Sequence, residues 1–152
     1  MCCRSCQKKH GSQEEQGLGR SKGGFSTKIH AVCDALGNPL RFIVTPGQRN
    51  DCTQAIVILK DLKAEHVLAD KGYDTDEIIT AIEKSVGIAV ISPKSNRKIK
   101  REYDIELYKE RHKVECLFGF LKHYRRLFSR FEKIKTRFEA FLHLVAALQW
   151  LK

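Results

Sequence analysis

The sequence lacks any apolar run able to cross a bilayer. The longest, Phe141 to Leu151, is interrupted by His143 and Gln149 and falls far short of the roughly 20 residues a spanning helix needs. It also lacks the apolar stretch of a secretory signal at Met1-Cys-Cys-Arg-Ser-Cys-Gln-Lys-Lys-His10, so the expected compartment is the cytoplasm, with reduced thiols. No internal repeat is present, and a length of 152 residues excludes a multidomain machine. Acid is scarce relative to base. Against 28 Lys and Arg stand 18 Asp and Glu, giving a net charge of +10 and a pI of about 9.4. Such an imbalance favours polyanionic partners, nucleic acid first. The composition does contain a core: 42% of residues are apolar, and the 30% that are charged lie in segments with apolar periodicity, unlike a disordered chain.

Residues 1–24 have almost no large apolar side chains and are expected to form a flexible polar segment ahead of one domain at 25–152. Cys3-x2-Cys6 followed by His10 has the spacing of half a zinc site. A structural zinc needs four ligands, and the other close pair is His30 and Cys33. Scattered thiols in a reducing compartment account for Cys2, Cys3 and Cys6, whereas Cys33, Cys52 and Cys116 fall in periodic segments as small core residues.

From Phe25 to Ala35 the chain is β-like, with Phe25, Thr27, Ile29, Ala31 and Cys33 alternating with period two, Leu36-Gly37-Asn38-Pro39 turns it, and Leu40 to Thr45 returns. This predicts a β-hairpin at 25–45. Asp51, with Gln54 three residues on, resembles a capping box at the start of a helix. His66-Val-Leu-Ala-Asp70 reads as a buried strand tipped by an acid. Asp74 or Thr75 caps a helix to about Val86, and Ile88 to Ile91 is a second buried strand. Together these make a right-handed parallel βαβ unit. Ser92 to Arg101 carries Lys94, Arg97, Lys98, Lys100 and Arg101 and no acid, so it reads as a basic loop. A long helix over 104–128 and a last amphipathic helix over 136–152 complete an α/β order.

On the long helix, Tyr108, Arg111, Glu115 and Lys122 fall within an arc of about 60°, beside the apolar arc of Leu107, Val114, Phe118 and Leu121. Two readings fit that stripe: a cleft wall, or a solvated ladder of i, i+4 pairs such as Arg111 and Glu115. Asp70 likewise reads either as a strand-end cap or as a ligand. Between Lys122 and Arg137 the single acid is Glu132, while Arg125, Arg126, Arg130, Lys133 and Lys135 add charge and Tyr124, Phe128 and Phe131 interleave. That suits nucleic acid or a solvated helix face.

The pattern Tyr108-x2-Arg111-x3-Glu115-x6-Lys122 resembles the signature around the catalytic Glu of the DDE transposases of bacterial insertion sequences. Gly19 to His30 and Ala69-Asp-Lys-Gly-Tyr-Asp74 resemble the same family, the latter its segment with the second catalytic Asp. The resemblance implies an RNase H-like fold whose Asp, Asp and Glu hold two Mg²⁺ ions, cut transposon ends and join them to target DNA. Hard cations take oxygen ligands, and paired metals stabilise the attacking and leaving oxygens of an in-line displacement. Asp70 and Glu115 would be catalytic and metal-ligating. Arg111 would hold Glu115 or pair with phosphate. Tyr108 and Lys122 of the signature, with Lys94, Arg97, Lys98, Lys100, Arg125 and Arg126, would face DNA.

The chain departs from the family before Gly19. No Asp precedes Asp34, which stands at the hairpin turn. The expectation is a truncated core without the first central strand and its Asp. That is either the C-terminal part of a transposase completed by an upstream reading-frame product, oligomeric when active, or a catalytically inactive DNA-binding remnant. A stable product of a pseudogene without activity is a third possibility. An Asp on a β-patterned upstream segment favours the first, a disrupted frame the second.

Overall fold

The structure, a computed structural model, describes residues 12, 15–21, 24–85, 87–99 and 101–151. The Cys2, Cys3, Cys6 and His10 reading lies outside them. β2 (Gly24–Cys33) and β3 (Pro39–Pro46) form the expected antiparallel hairpin, with Thr27 opposite Pro46 and Val32 opposite Arg41. The turn is built around Asp34, whose carboxylate accepts from Leu36 N (2.9 Å), Asn38 N (2.8 Å) and Asn38 Nδ2 (3.2 Å). Gly37 takes a φ of 91° there, a value glycine alone adopts without strain. Asp34 is thus a turn-former.

The polar segment contributes more than a tail. Gly19–Ser21 is a strand, β1, paired antiparallel with Gly24 to Ser26. Its residues, Gly19, Arg20 and Ser21, carry no hydrophobic pattern, so sequence periodicity could not show it. A Cβ at Gly19 would lie 2.8 Å from Pro46 Cβ, and glycine is what permits that close approach.

The α1 helix (Asp51–Leu59) is capped by Asn50, whose side chain accepts from Cys52 N at 3.1 Å. Asp51, the expected cap, sits inside the first turn and pairs instead with Lys28 Nζ at 3.0 Å. β4 (His66–Ala69) and β5 (Ile88–Ile91) run parallel, His66 beside Ile88, joined through α2 (Asp76–Lys84), which Thr75 caps. Ala55 of α1, Ile78, Ile79 and Ile82 of α2 and Ile91 form the core of this half.

The helix expected over 104–128 is divided. α3 (Ile105–Lys109) starts at the Asp104 cap, α4 spans His112–Lys122, and α5 spans Arg125–Phe128. Glu110 and Arg111 keep right-handed helical dihedrals, so the stripe survives the first division. The second is a true break. Tyr124 is extended (φ −87°, ψ 99°), its ring packs edge-on to Phe120 at 5.4 Å, and the bend directs Leu127 into the core. α6 (Lys135–Trp150) lays Phe138, Leu142 and Val145 against Leu117, Leu121, Leu127 and Val44. Each such buried side chain contributes about 1.5–3 kcal/mol. Cys33 and Cys52 are half-buried, but Cys116 is exposed and not a core residue.

These parts stack as layers. Ile29, Ala31 and Cys33 face α4 to α6, while Lys28 and His30 face α1. The β1-β2-β3 sheet and the β4-β5 sheet do not pair with each other among the described residues.

Candidate active site

Between the two sheets lies a cavity of about 320 Å³ lined by both sequence-predicted acids, Asp70 and Glu115. Asp70 follows the last residue of β4. Its Oδ1 accepts from Lys71 N at 2.7 Å and starts a 3-10 turn over Lys71–Tyr73. The cap reading and the cavity position therefore hold for the same carboxylate. Glu115, in the first turn of α4, lines the cavity with Arg111 and Val114. Arg111 Nη2 sits 2.8 Å from Glu115 Oε1, and its guanidinium lies 5.7 Å from the Tyr108 ring centroid. Burial works against the Arg111 charge, but the hydrogen bond to Glu115 and the charges of Glu115, Tyr108 and Asp70 outweigh it and raise its pKa. Arg111 thus pairs with Glu115 and is further favoured by the charge of Asp70.

Lys122 is not in that cavity. It lines a neighbouring one of about 450 Å³ with Lys28 and Phe128, and the two share Ile29 and Phe118 as a common wall. Sequence reasoning missed His30 and Tyr73, which line the Asp70 cavity. His30 is buried, with Nε2 2.9 Å from Thr45 Oγ1 and Nδ1 3.9 Å from Asp51 Oδ1. Burial lowers its pKa, and Lys28 adds to this, against the opposing charge of Asp51. Burial, then the charges of Asp51, Cys52 and Asp70, push the Tyr73 hydroxyl up to about 12. The signal for His30 was available: period two sets it with Lys28, opposite Ile29 and Ala31.

The basic loop finds its acids elsewhere in the chain. Asp74, buried, accepts from Lys94 N (2.8 Å) and Arg97 Nε (2.9 Å), and Asp76 accepts from Arg97 Nη2 (2.9 Å) and from Arg101. Hydrogen bonding to Arg97, and then its charge, holds Asp76 below the usual carboxylate range. Arg97 is therefore committed to bracing the loop. Lys98 is exposed and Lys94 half-buried, and Lys100 lies outside the described residues. Lys122, Arg125 and Arg126 are exposed, with Arg126 3.3 Å from Glu132. Arg130 is not part of that surface. It donates to Gly17 O at 2.9 Å, to Gln16 O and to Thr27 Oγ1, and lies over the Phe138 ring.

The carboxylates lining the cavity are those of Asp70 and Glu115. Among the described residues no group of three or more His, Cys, Asp or Glu could hold an ion. Asp70 and Glu115 nevertheless supply the hard oxygens Mg²⁺ takes, and Mg²⁺ is commonly held by one or two carboxylates with water filling its shell. The residues present fit such an ion. No described helix is long and apolar enough to cross a membrane.

A family described as the transposase DDE domain matches residues 3–150. The chain is 45% identical over 130 residues to a Brucella ovis protein named as a transposase of insertion sequence element IS6501, covering 84% of this chain and 100% of that one. It is 32% identical over 134 residues to a Burkholderia cepacia protein named likewise for IS402, covering 80% of this chain and 61% of that one. No solved structure matches. A family match over almost the whole sequence, and a relative aligned along its full length, show that the chain belongs to the DDE transposases of insertion sequences.

Proposed function

We propose that the chain is the C-terminal part of an insertion-sequence transposase that cuts and joins DNA with divalent metal at Asp70 and Glu115. The observation that carries this is that those two acids, one just past β4 and one in α4, line one cavity with Arg111. We read the fold as RNase H-like, divided where its first central strand belongs. Work on DNA places it in the cytoplasm, with transposon ends and target DNA as substrates and an oligomer as the active form.

When bound, divalent metal would activate a water or 3′-hydroxyl and stabilise charge on the scissile phosphate. The chain's own residues prepare for this. Arg111 holds the Glu115 carboxylate on the cavity wall, and the Lys71 amide orients Asp70. Lys122, Arg125, Arg126, Lys94 and Lys98 receive phosphates, while Tyr108 supports Arg111. Arg97 acts at one remove by holding the loop.

The test is Mn²⁺ binding, followed by paramagnetic broadening, alongside Mg²⁺-dependent nicking of transposon-end DNA. Asp70→Asn or Glu115→Gln is expected to weaken Mn²⁺ binding at least about tenfold, since each removes an inner-shell anion, with circular dichroism unchanged. Unaltered binding in both variants overturns the reading. One observation favours a second reading, an inactive DNA-binding remnant: among the described residues the acids lining the cavity are Asp70 and Glu115, with no third. DNA binding by the chain with no nicking supports that alternative.

A further inference from the structure

The last helix is apolar on more sides than it buries. From Ala140 to Leu151 the sequence has no Lys, Arg, Asp or Glu, and a helix apolar all round is normally covered all round. α6 is not. It turns Phe138, Leu142, Val145 and Ala146 into the core, while Leu144 (58%), Leu148 (42%) and Leu151 (82%) stay exposed, together with Ala140 and Ala147. On a helix of about 100° per residue these five fall within an arc of about 100°, opposite the core.

The chemistry of the arc narrows what can cover it. Phosphates find no cation between Ala140 and Leu151. Residues 1–11, outside the described residues, carry Met1 as their single large apolar side chain beside Arg4, Lys8 and Lys9, and do not match a leucine stripe. The arc does match itself. When two copies of α6 cross antiparallel about a two-fold axis at Leu144, position 140 meets 148 and position 141 meets 147. Ala140 then lies against Leu148, and half-buried Phe141 against Ala147. Each step sets small against large, which lets helix axes approach to roughly 8–10 Å, and the two-fold repeats each pair. The charges agree. The last turn of α6 holds no basic residue to offset the negative end of its dipole, and exposed Arg137 of the second copy arrives at that end, opposite Leu151. The area is sufficient as well. With the outer side of Trp150, whose indole is already tied to Pro39 O at 2.9 Å, the arc leaves roughly 500–600 Å² of apolar surface per copy, about 1,000–1,200 Å² for two, the small end of specific interfaces.

We propose that the exposed face of α6 is a homodimer surface, on which a second copy of this chain lays its own α6 antiparallel, with Leu144 at the two-fold axis. The cavity of Asp70 and Glu115 is lined by no residue of α6, so the contact leaves that cavity open in both copies. The surface rests on α6 alone and needs neither DNA nor metal.

The test is sedimentation equilibrium of the full 152-residue chain, without DNA or metal, over roughly 1–200 µM, a range that brackets micromolar affinity. The mass is expected to rise from 17.5 kDa toward twice that value. Two copies carrying +10 each repel, so more salt should strengthen the association, the opposite of bridging by residual nucleic acid. Leu144→Glu and Leu144→Lys should each be monomeric at every concentration, with circular dichroism unchanged because Leu144 is exposed. Mixed in equal amounts they should dimerise again, since position 144 meets its own counterpart at the axis. Val57→Glu, on the exposed side of α1, should leave the mass curve unaltered. A monomer throughout, a dimer indifferent to Leu144→Glu, a mixture that stays monomeric, or a monomer that instead sediments with phosphatidylcholine vesicles overturns the proposal. Failure here leaves the transposase reading standing, and Mn²⁺ binding indifferent to Asp70 and Glu115 leaves this one standing.

Discussion

His30 is a buried imidazole on the α1 face of β2, held by Thr45 and flanked by Lys28 and Asp51. Its pKa is lowered in the folded chain, by burial first and then by Lys28, against Asp51. The sign follows by linkage. As pH falls through the unfolded value, about 6.5, the unfolded chain takes up a proton that the folded chain refuses, so stability is lost toward acid. Above that value both states are neutral and the contribution is constant. The urea midpoint of the unaltered chain is expected to fall more between pH 7.5 and 5.5 than that of His30→Gln. Equal falls would show that His30 does not carry the linkage.

At the scale of elements, what was legible in sequence followed local rules and what was not depended on distant partners. Alternation from Phe25 to Ala35 predicted the hairpin, and a cap at Asp74 or Thr75 predicted α2, because the determinants lie within a few residues of one another. The break at Tyr124 was invisible, since it answers to the packing of Leu127 with α4 and α6. The acids of the site were found through resemblance, and nothing local could show that α4 would bring Glu115 to the cavity of Asp70. The basic loop is the clearest instance: its neutralising acids, Asp74 and Asp76, sit at the start of α2. Asp74→Ala would strand Lys94 N–H and loosen Arg97, and should cost about 3 kcal/mol, the low end for breaking a buried pair because Asp76 retains its hold. Chemical denaturation measures the loss, and trypsin should cut after Lys94 and Lys98 faster than in the unaltered chain. Leu142, fully buried in α6, tests the other half: Leu142→Ala should cost about 2–5 kcal/mol.

For the whole molecule, if the chain binds DNA as proposed, the excess of +10 charges would set the strength of binding through counterion release, in a way that depends on which cations the fold leaves facing solvent. Lys122, at the end of α4, and Arg125 and Arg126, at the start of α5, are all exposed. Arg130, close in sequence, is spent on the carbonyls of Gln16 and Gly17 and on Thr27. Sequence counting treats the four alike; the fold separates them. Replacing Lys122 and Arg125 by Ala should flatten the slope of log K against log salt by about 0.9 for each phosphate no longer neutralised and leave the urea midpoint nearly unchanged. Arg130→Ala should do the reverse, lowering the midpoint by unpinning the N-terminal segment from β2 while the slope holds. The two variants, measured by salt titration of DNA affinity and by urea denaturation, therefore separate the charges that meet DNA from the charge that holds the fold. A flattened slope in Arg130→Ala, with Lys122 and Arg125 without effect, would move the DNA surface to the opposite side of α5.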